Sequence, residues 1–108
     1  METAQTVTAE VRKLLVQSAG NFPDIATVAK QMSISESTLR RRLNEESTNF
    51  RAVLGDVTNT LAQRYLHETG LDVAIIANLL GYSDPENFYR AFARWNAMTP
   101  AEYRRQQS

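Results

Sequence analysis

Hydrophobic positions recur every three or four residues along nearly the whole chain, which is the period of an α-helix with one buried face. No segment keeps the alternation of apolar and polar residues that a half-buried strand shows. The pattern therefore predicts an all-α fold. The predicted helices are 4–18, 24–32, one that begins after Ser35, 49–69, 72–80, one that begins after Asp84, and a last one that opens at Thr99. The apolar stripe of the long helix is Phe50, Val53, Leu54, Val57, Leu61 and Tyr65.

Residues that commonly begin or end helices mark several of these boundaries. Ser35 and Asp84 are good N-cap residues, and Pro85 falls at a first helical position, where its missing N–H does no harm. Gly70 follows the long helix and Gly81 follows the next short one, so both are predicted to end helices.

A repeat of about 48 residues is hidden in this pattern. Residues Ile25, Val28, Ala29, Met32 and Ile34 recur 48 positions later as Val73, Ile76, Ala77, Leu80 and Tyr82. Residues Ser35, Leu39, Arg41 and Leu43 recur 49 positions later as Asp84, Phe88, Arg90 and Phe92. Each copy is a short helix, a tight turn and a second helix, which is the layout of a helix-turn-helix.

The second helix of each copy has a polar outer face. If Leu39 and Leu43 point inward, a helical wheel places Ser37, Arg41 and Asn44 outward, with Arg40 at the edge of that face. In the second copy the aromatic residues Phe88, Phe92, Trp95 and Tyr82 are predicted to be core. Its outer face is predicted to be Glu86, Arg90 and Ala93, with Tyr89 exposed at the edge.

These outer faces suit contacts with the edges of DNA bases. An arginine can donate two hydrogen bonds to guanine, and a glutamate can accept one from cytosine. The long helix adds support, because roughly 21 residues span about 31 Å, close to the ~34–36 Å turn of B-DNA. A solvated arginine face or a helical protein-interaction module remains the alternative.

Composition limits the other classes of function. The 108 residues suffice for one domain, and they include no cysteine and no apolar run long enough to span a bilayer. Twelve basic residues balance twelve acidic ones, which counts against nucleic-acid binding, because a DNA-binding domain is usually basic overall. The distribution matters more than the total, since arginines cluster at 40–42 and near the C-terminal end. His67 is the single histidine, and no motif for a metal, a cofactor or catalysis is present, so an enzyme is not expected.

Two segments resemble the C-terminal DNA-binding domain of AraC/XylS-type bacterial transcription regulators. They are DIATVAKQMSISESTLRRRLNEESTNF and VAIIANLLGYSDPENFYRAFARWNAMTPAEYRR, and the resemblance covers residues 22–105. It implies seven helices in two helix-turn-helix subdomains, 1–47 and 70–108, joined by a linker helix, 48–69. It also implies sequence-specific binding of double-stranded DNA, with both second helices in successive major grooves.

The resemblance also assigns residues to contacts with DNA. The base contacts that it implies are Ser37, Arg40, Arg41, Pro85, Glu86, Asn87, Tyr89 and Arg90, and the helical wheel adds Asn44. Contacts with the DNA backbone are expected at the starts of the two helices and from nearby arginines, namely Ser35, Thr38, Asp84, Arg42, Arg51 and Arg94. The chain departs from the family at Ser47 and Ala97, where glycine is common. The serine would restrict entry to the long helix if that position needs a positive φ.

The ending FYRAFARW is most similar to the subgroup whose full-length members carry a large N-terminal sensing domain. Residues 1–20 are too few for such a domain, so the chain is expected to be the C-terminal portion of a larger regulator; a small single-domain regulator is the alternative. The portion is expected to be monomeric, with dimerisation through the missing domain. Double-stranded DNA is the expected partner and RNA polymerase a candidate one, in the bacterial cytoplasm at the nucleoid, with no membrane and no cofactor.

Overall fold

The computed structural model describes residues 6–107, and this range contains seven α-helices. They are α1 Val7–Gln17, α2 Ile25–Gln31, α3 Glu36–Glu45, α4 Phe50–Glu68, α5 Val73–Leu79, α6 Pro85–Asn96 and α7 Pro100–Gln107. The prediction of an all-α fold with about seven helices is confirmed. The predicted start of the first helix, at residue 4, lies outside the described residues.

Short polar side chains begin most of these helices. Ser35 accepts a hydrogen bond from the backbone N–H of Thr38 at 3.0 Å, which caps α3. Asp84 accepts one from the N–H of Glu86 at 3.0 Å, and Pro85 occupies the first turn of α6. Both predicted N-caps are confirmed. Each satisfies one of the N–H groups that a helix start leaves without a partner.

The long helix α4 ends at Glu68, within one residue of its predicted end, and Gly70 follows it as expected. Gly70 does not adopt the left-handed conformation that is typical of glycine at this position, because among the described glycines only Gly20 and Gly81 have a positive φ. Side chains satisfy the last carbonyls of α4 instead. The Thr69 hydroxyl donates to the carbonyl of Tyr65 at 2.6 Å, and the Arg104 guanidinium donates to the carbonyls of Leu66 and Thr69, each at 3.2 Å. A left-handed glycine is therefore unnecessary there.

The chain divides into two compact units. Unit 1 takes in the chain up to Ser18 together with Phe22–Val57, and unit 2 takes in Ala19–Asn21 and the chain from Thr58 onward. The first half of α4 therefore belongs to unit 1 and the second half to unit 2.

Unit 1 packs around aliphatic side chains from α1 to α4. Its buried apolar residues are Val11, Leu15, Val28, Ala29, Leu39, Leu43, Val53 and Val57. The carboxylate of Glu46, at the end of α3, accepts hydrogen bonds from the backbone N–H groups of Val7 and Thr8 at 3.1 and 2.8 Å. This contact joins the end of α3 to the start of α1, where a negative charge is favourable.

Unit 2 packs around a buried cluster formed by Ala62, Leu66, Ile76, Ala77, Leu80, Phe88 and Phe92. The Phe88 ring lies 5.5 Å from the Tyr82 ring and 5.8 Å from the Phe92 ring, both distances between centroids. The prediction that Trp95 is core is wrong, because its side chain is only half-buried. Trp95 lies in the last turn of α6, and so large a ring is rarely enclosed completely at a helix end. The same prediction for Tyr82 is partly correct, because its half-buried ring packs against the buried cluster.

Candidate nucleic-acid interface

Helix α3 exposes its predicted DNA-binding face. Leu39 and Leu43 are completely buried, which fixes the rotation of α3 about its axis within unit 1. All four predicted base contacts on this helix are exposed, namely Ser37, Arg40, Arg41 and Asn44. The outward direction derived from the helical wheel is therefore correct for α3.

Two arginines on this face form ion pairs with acids one turn away. Arg40 lies 2.6 Å from the Glu36 carboxylate, and Arg41 lies 3.7 Å from the Glu45 carboxylate. Exposed pairs at this spacing contribute about 0.3–0.5 kcal/mol each. A base or phosphate could therefore replace either acid at little energetic cost. Sequence reasoning missed both pairs, although the four-residue spacing of opposite charges could have indicated them.

Hydroxyl groups are gathered at the start of α3. The Ser35 hydroxyl donates to the Thr38 hydroxyl at 2.8 Å, and the Ser37 hydroxyl lies 3.3 Å from that of Ser35. Free N–H groups and the positive end of the helix dipole also lie at such a start, so it can bind a phosphate. Ser35 and Thr38, two of the predicted backbone contacts, both lie at this helix start.

Helix α6 exposes a second polar face. Phe88 and Phe92 are completely buried, whereas Glu86, Asn87 and Arg90 are exposed. The Arg90 guanidinium donates to the Asn87 side-chain oxygen at 2.5 Å, so these two residues lie together on the helix surface.

Two residues predicted to contact bases from α6 are less exposed. Pro85 and Tyr89 are half-buried. The Tyr89 ring packs edge-on against Phe88, with centroids 6.3 Å apart, so the prediction of an exposed Tyr89 is only partly correct. Its position at the edge of the face places one side of the ring against the core.

The arginines predicted to contact the DNA backbone, Arg42, Arg51 and Arg94, are all exposed.

Partial burial raises the pKa of the Tyr82 phenol, and the nearby positive charge of Arg94 offsets part of that increase. The carboxylate of Asp84 accepts a hydrogen bond as the N-cap of α6. Because this carboxylate is negatively charged and has no hydrogen to donate, only the backbone of Asp84 is suited to a phosphate.

Within residues 6–107, no group of three or more histidine, cysteine or acidic side chains could hold a metal ion. None of the helices described is both long enough and apolar enough to cross a membrane.

Known proteins share both the sequence pattern and the fold. A family described as a helix-turn-helix domain matches residues 28–106. An uncharacterized HTH-type transcriptional regulator of Mycobacterium tuberculosis is 41% identical over 104 residues, which are 96% of this chain and 30% of the relative. The ornithine utilization regulator of Pseudomonas aeruginosa is 38% identical over 104 residues, 96% of this chain and 31% of the relative.

Solved structures with lower sequence identity share the fold. A DNA-binding transcriptional dual regulator from Escherichia coli K-12 has a TM-score of 0.90 at 22% identity, covering 95% of this chain and 99% of that one. A regulator with an AraC-type DNA-binding domain from Chromobacterium violaceum has a TM-score of 0.87 at 19% identity, covering 94% and 92%. The DNA-binding domain of AdpA, solved in complex with a target DNA, has a TM-score of 0.78 at 24% identity, covering 94% and 92%.

The chain therefore belongs to the AraC-type helix-turn-helix family, whose members bind DNA and regulate transcription. The resemblance seen in the sequence is confirmed. The chain spans about 30% of the length of the two curated relatives described above.

Proposed function

We propose that this chain binds a specific double-stranded DNA site through both α3 and α6, placed in successive major grooves, and so regulates bacterial transcription. The observation that carries this proposal is the matched pair of exposed arginines, Arg41 and Arg90. Each lies on a helix whose opposite face is anchored by completely buried side chains. An isolated arginine on a helix surface would be unremarkable, whereas the same position in both copies of a repeat indicates a shared task.

The proposed contacts divide into base readers and residues that bind the DNA backbone. The proposed base readers are Ser37, Arg40, Arg41, Asn44, Pro85, Glu86, Asn87, Tyr89 and Arg90. The proposed backbone contacts are Ser35, Thr38, Arg42, Arg51, Asp84 and Arg94. Among the base readers, the exposed arginines are suited to paired hydrogen bonds with guanine, since a guanidinium matches the O6 and N7 acceptors.

Substitution of the two arginines tests the proposal. We expect Arg41→Ala and Arg90→Ala each to weaken binding to the preferred duplex by about 1–3 kcal/mol and to relax base choice at one position. Arg64→Ala is the matched control, because Arg64 is an exposed arginine of α4 outside the proposed contacts. Fluorescence anisotropy with labelled duplexes measures the affinity. Equal losses in all three variants would indicate a general charge effect and contradict base reading.

A protein contact is the second candidate function, with RNA polymerase as the partner. It is supported by Ile75 and Leu79, which lie one turn apart on α5 and leave 48% and 43% of their surfaces exposed. If this is the main role, Ile75→Asp abolishes the capture of polymerase, while Arg41→Ala and Arg90→Ala leave DNA affinity unchanged.

For a regulator that contains this chain, we propose action at the nucleoid in the bacterial cytoplasm. The greater length of the curated relatives supports a further domain in such a regulator. We propose that this domain binds an effector or dimerises, and that the present chain is monomeric by itself. Sedimentation of the 108-residue chain tests the last point, and a concentration-dependent increase in mass would contradict it.

A further inference from the structure

We infer that Asn96 is a positioning residue for α6, and that it determines the orientation of the base-reading face of that helix. This inference rests on the proposed function of α6. Asn96 is the last residue of the helix, and its half-buried side chain lies against the second half of α4 within unit 2. We call the group of Asn96, Asn59 and Gln63 the amide clamp.

The amide clamp uses the full hydrogen-bonding capacity of Asn96. Its side-chain nitrogen donates to Asn59 Oδ1 at 2.8 Å and to the carbonyl of Phe92 at 3.0 Å. Its side-chain oxygen accepts from Gln63 Nε2 at 2.8 Å and from Asn59 Nδ2 at 3.3 Å. A primary amide offers two donors and two acceptor positions, and here all four are engaged.

The buried cluster of unit 2 does not fix α6 in the same way. Apolar contacts such as those of Phe88 and Phe92 determine which face of α6 points inward, but they are non-directional and so allow small changes in the tilt of the helix. Hydrogen bonds weaken steeply when their angle or length departs from the optimum. The amide clamp therefore supplies the directional restraint between α6 and α4.

A small tilt at the amide clamp becomes a large displacement at the base readers. Glu86 lies ten residues before Asn96, a distance of about 15 Å along the helix. A rotation of about 5° around the clamp would move Glu86 by about 1.3 Å along that length. Productive contacts require placement within about 0.5 Å. Loss of the clamp should therefore impair base reading by α6 and leave base reading by α3 unchanged.

A double-mutant cycle tests this role. Asn96→Leu keeps the number and branching of the side-chain heavy atoms and removes all four hydrogen bonds. In the unaltered 108-residue chain, we expect Arg90→Ala to weaken binding to the preferred duplex about 5- to 150-fold. In the Asn96→Leu background, Arg90→Ala should weaken binding to the same duplex by less than about threefold, since Arg90 is already misplaced.

Arg41→Ala is the matched control for the cycle, because Arg41 lies on α3 in unit 1. Its cost should be the same with and without Asn96→Leu, as is usual for independent sites. If Asn96 only stabilised the fold, Asn96→Leu would lower the folded fraction. The losses of affinity caused by Arg41→Ala and by Arg90→Ala would then change equally or not at all. Asn78→Leu makes the same chemical change at an exposed position of α5 and should leave both costs unchanged.

The outcomes separate this inference from the proposed function. If Arg90→Ala keeps its full cost in the Asn96→Leu background, the positioning role is refuted and the proposed function stands. If Arg90→Ala costs nothing in the unaltered chain, base reading by α6 fails and the role of Asn96 fails with it. If the Asn96→Leu variant does not fold, Gln63→Leu takes its place in the cycle, because this substitution removes only the 2.8 Å hydrogen bond to Asn96 Oδ1. We expect the same result: a smaller loss of affinity for Arg90→Ala and an unchanged loss for Arg41→Ala.

Discussion

Three residues other than glycine adopt left-handed backbone conformations in the described part of the chain. Ser33, Ser47 and Ala97 have φ values of 62°, 64° and 58°. Ser47 therefore has the positive φ on which the expectation of restricted entry to the long helix depends. A Cβ in this region is crowded by the neighbouring carbonyl oxygen, at a cost of roughly 1–2 kcal/mol.

Replacing Ala97 by glycine should stabilise the protein. Ala97 is the left-handed C-cap of α6, and its N–H donates to the carbonyl of Ala93, a bond that glycine keeps. We expect Ala97→Gly to raise the free energy of unfolding by about 1 kcal/mol, measured by urea denaturation. Ala101→Gly, at an exposed position in the first turn of α7, should lower it. A decrease for Ala97→Gly would contradict the assignment of strain.

Glu46 should make stability depend on pH. Hydrogen bonds from Thr8 and Val7 hold the pKa of its carboxyl below the usual value of 4.5. A lowered folded-state pKa means that this stabilisation is complete above the unfolded pKa and is lost as pH falls through the folded pKa.

We expect Glu46→Gln to lower the free energy of unfolding by about 1 kcal/mol near pH 7, a modest value because the carboxylate is exposed. The difference from the unaltered chain should shrink as the pH falls below 4.5, the usual value for a glutamate. Thermal unfolding from pH 7 to pH 3 measures it. Glu45→Gln is the control, since that neighbouring carboxylate forms an exposed ion pair with Arg41, at 3.7 Å. An equal effect of both substitutions, or no narrowing of the difference at low pH, would refute the role of Glu46 as a cap.

Side-chain environments were harder to predict than backbone positions. The sequence indicated which aromatic residues of α6 face inward, and Phe88 and Phe92 are completely buried as expected. It could not show that Tyr89 leans against Phe88, or that Trp95 lies where the core ends. Those outcomes depend on neighbours that are distant in sequence, and helical periodicity carries no information about them.

At the scale of single helices, the ion pairs of α3 should moderate DNA binding. Glu36 and Glu45 neutralise Arg40 and Arg41 and would also repel phosphates. We expect Glu36→Gln and Glu45→Gln each to raise affinity for a scrambled duplex by about twofold or more, and to steepen its salt dependence. Titrations at several salt concentrations measure both effects.

Glu10→Gln is the matched control for these two substitutions, because Glu10 is an exposed acid of α1 in the same unit. Glu10→Gln removes one negative charge, as the other two substitutions do, but it leaves both ion pairs of α3 intact. If it raises non-specific affinity as much as Glu45→Gln does, net charge rather than local pairing governs binding.

The sequence predicted the positions of the helices well but the buried stripe of α4 incompletely. The predicted stripe contains Leu61 and Tyr65, yet these are half-buried, while Ala62 and Leu66 are buried. A single stripe assumes that a helix packs against one core. Since the two halves of α4 belong to different units, the buried positions are not continuous along one stripe.

At the scale of the whole molecule, the repeat was the most informative feature of the sequence. It predicted two helix-turn-helix segments, and both are present as α2–α3 and α5–α6. Interactions between segments were not predictable in the same way. The contact of Glu46 with the start of α1, the Arg104 contacts with the end of α4 and the amide clamp join residues more than 30 positions apart.

The net charge of zero also belongs to this scale. Non-specific DNA binding depends mainly on the neutralisation of phosphates, so a balanced chain should bind random duplex weakly at physiological salt. Base contacts must then supply a larger share of the affinity for the preferred site. Reading by two helices, with several side chains each, is consistent with that requirement.

Selection from a random duplex pool at low salt, followed by sequencing, tests the central claim of two-helix reading most directly. For the unaltered chain we predict two short enriched blocks about one helical turn apart. Arg41→Ala should remove sequence preference from one block and Arg90→Ala from the other. A single enriched block would mean that only one helix reads bases, and no enrichment, or an unchanged pair of blocks in both variants, would contradict the account.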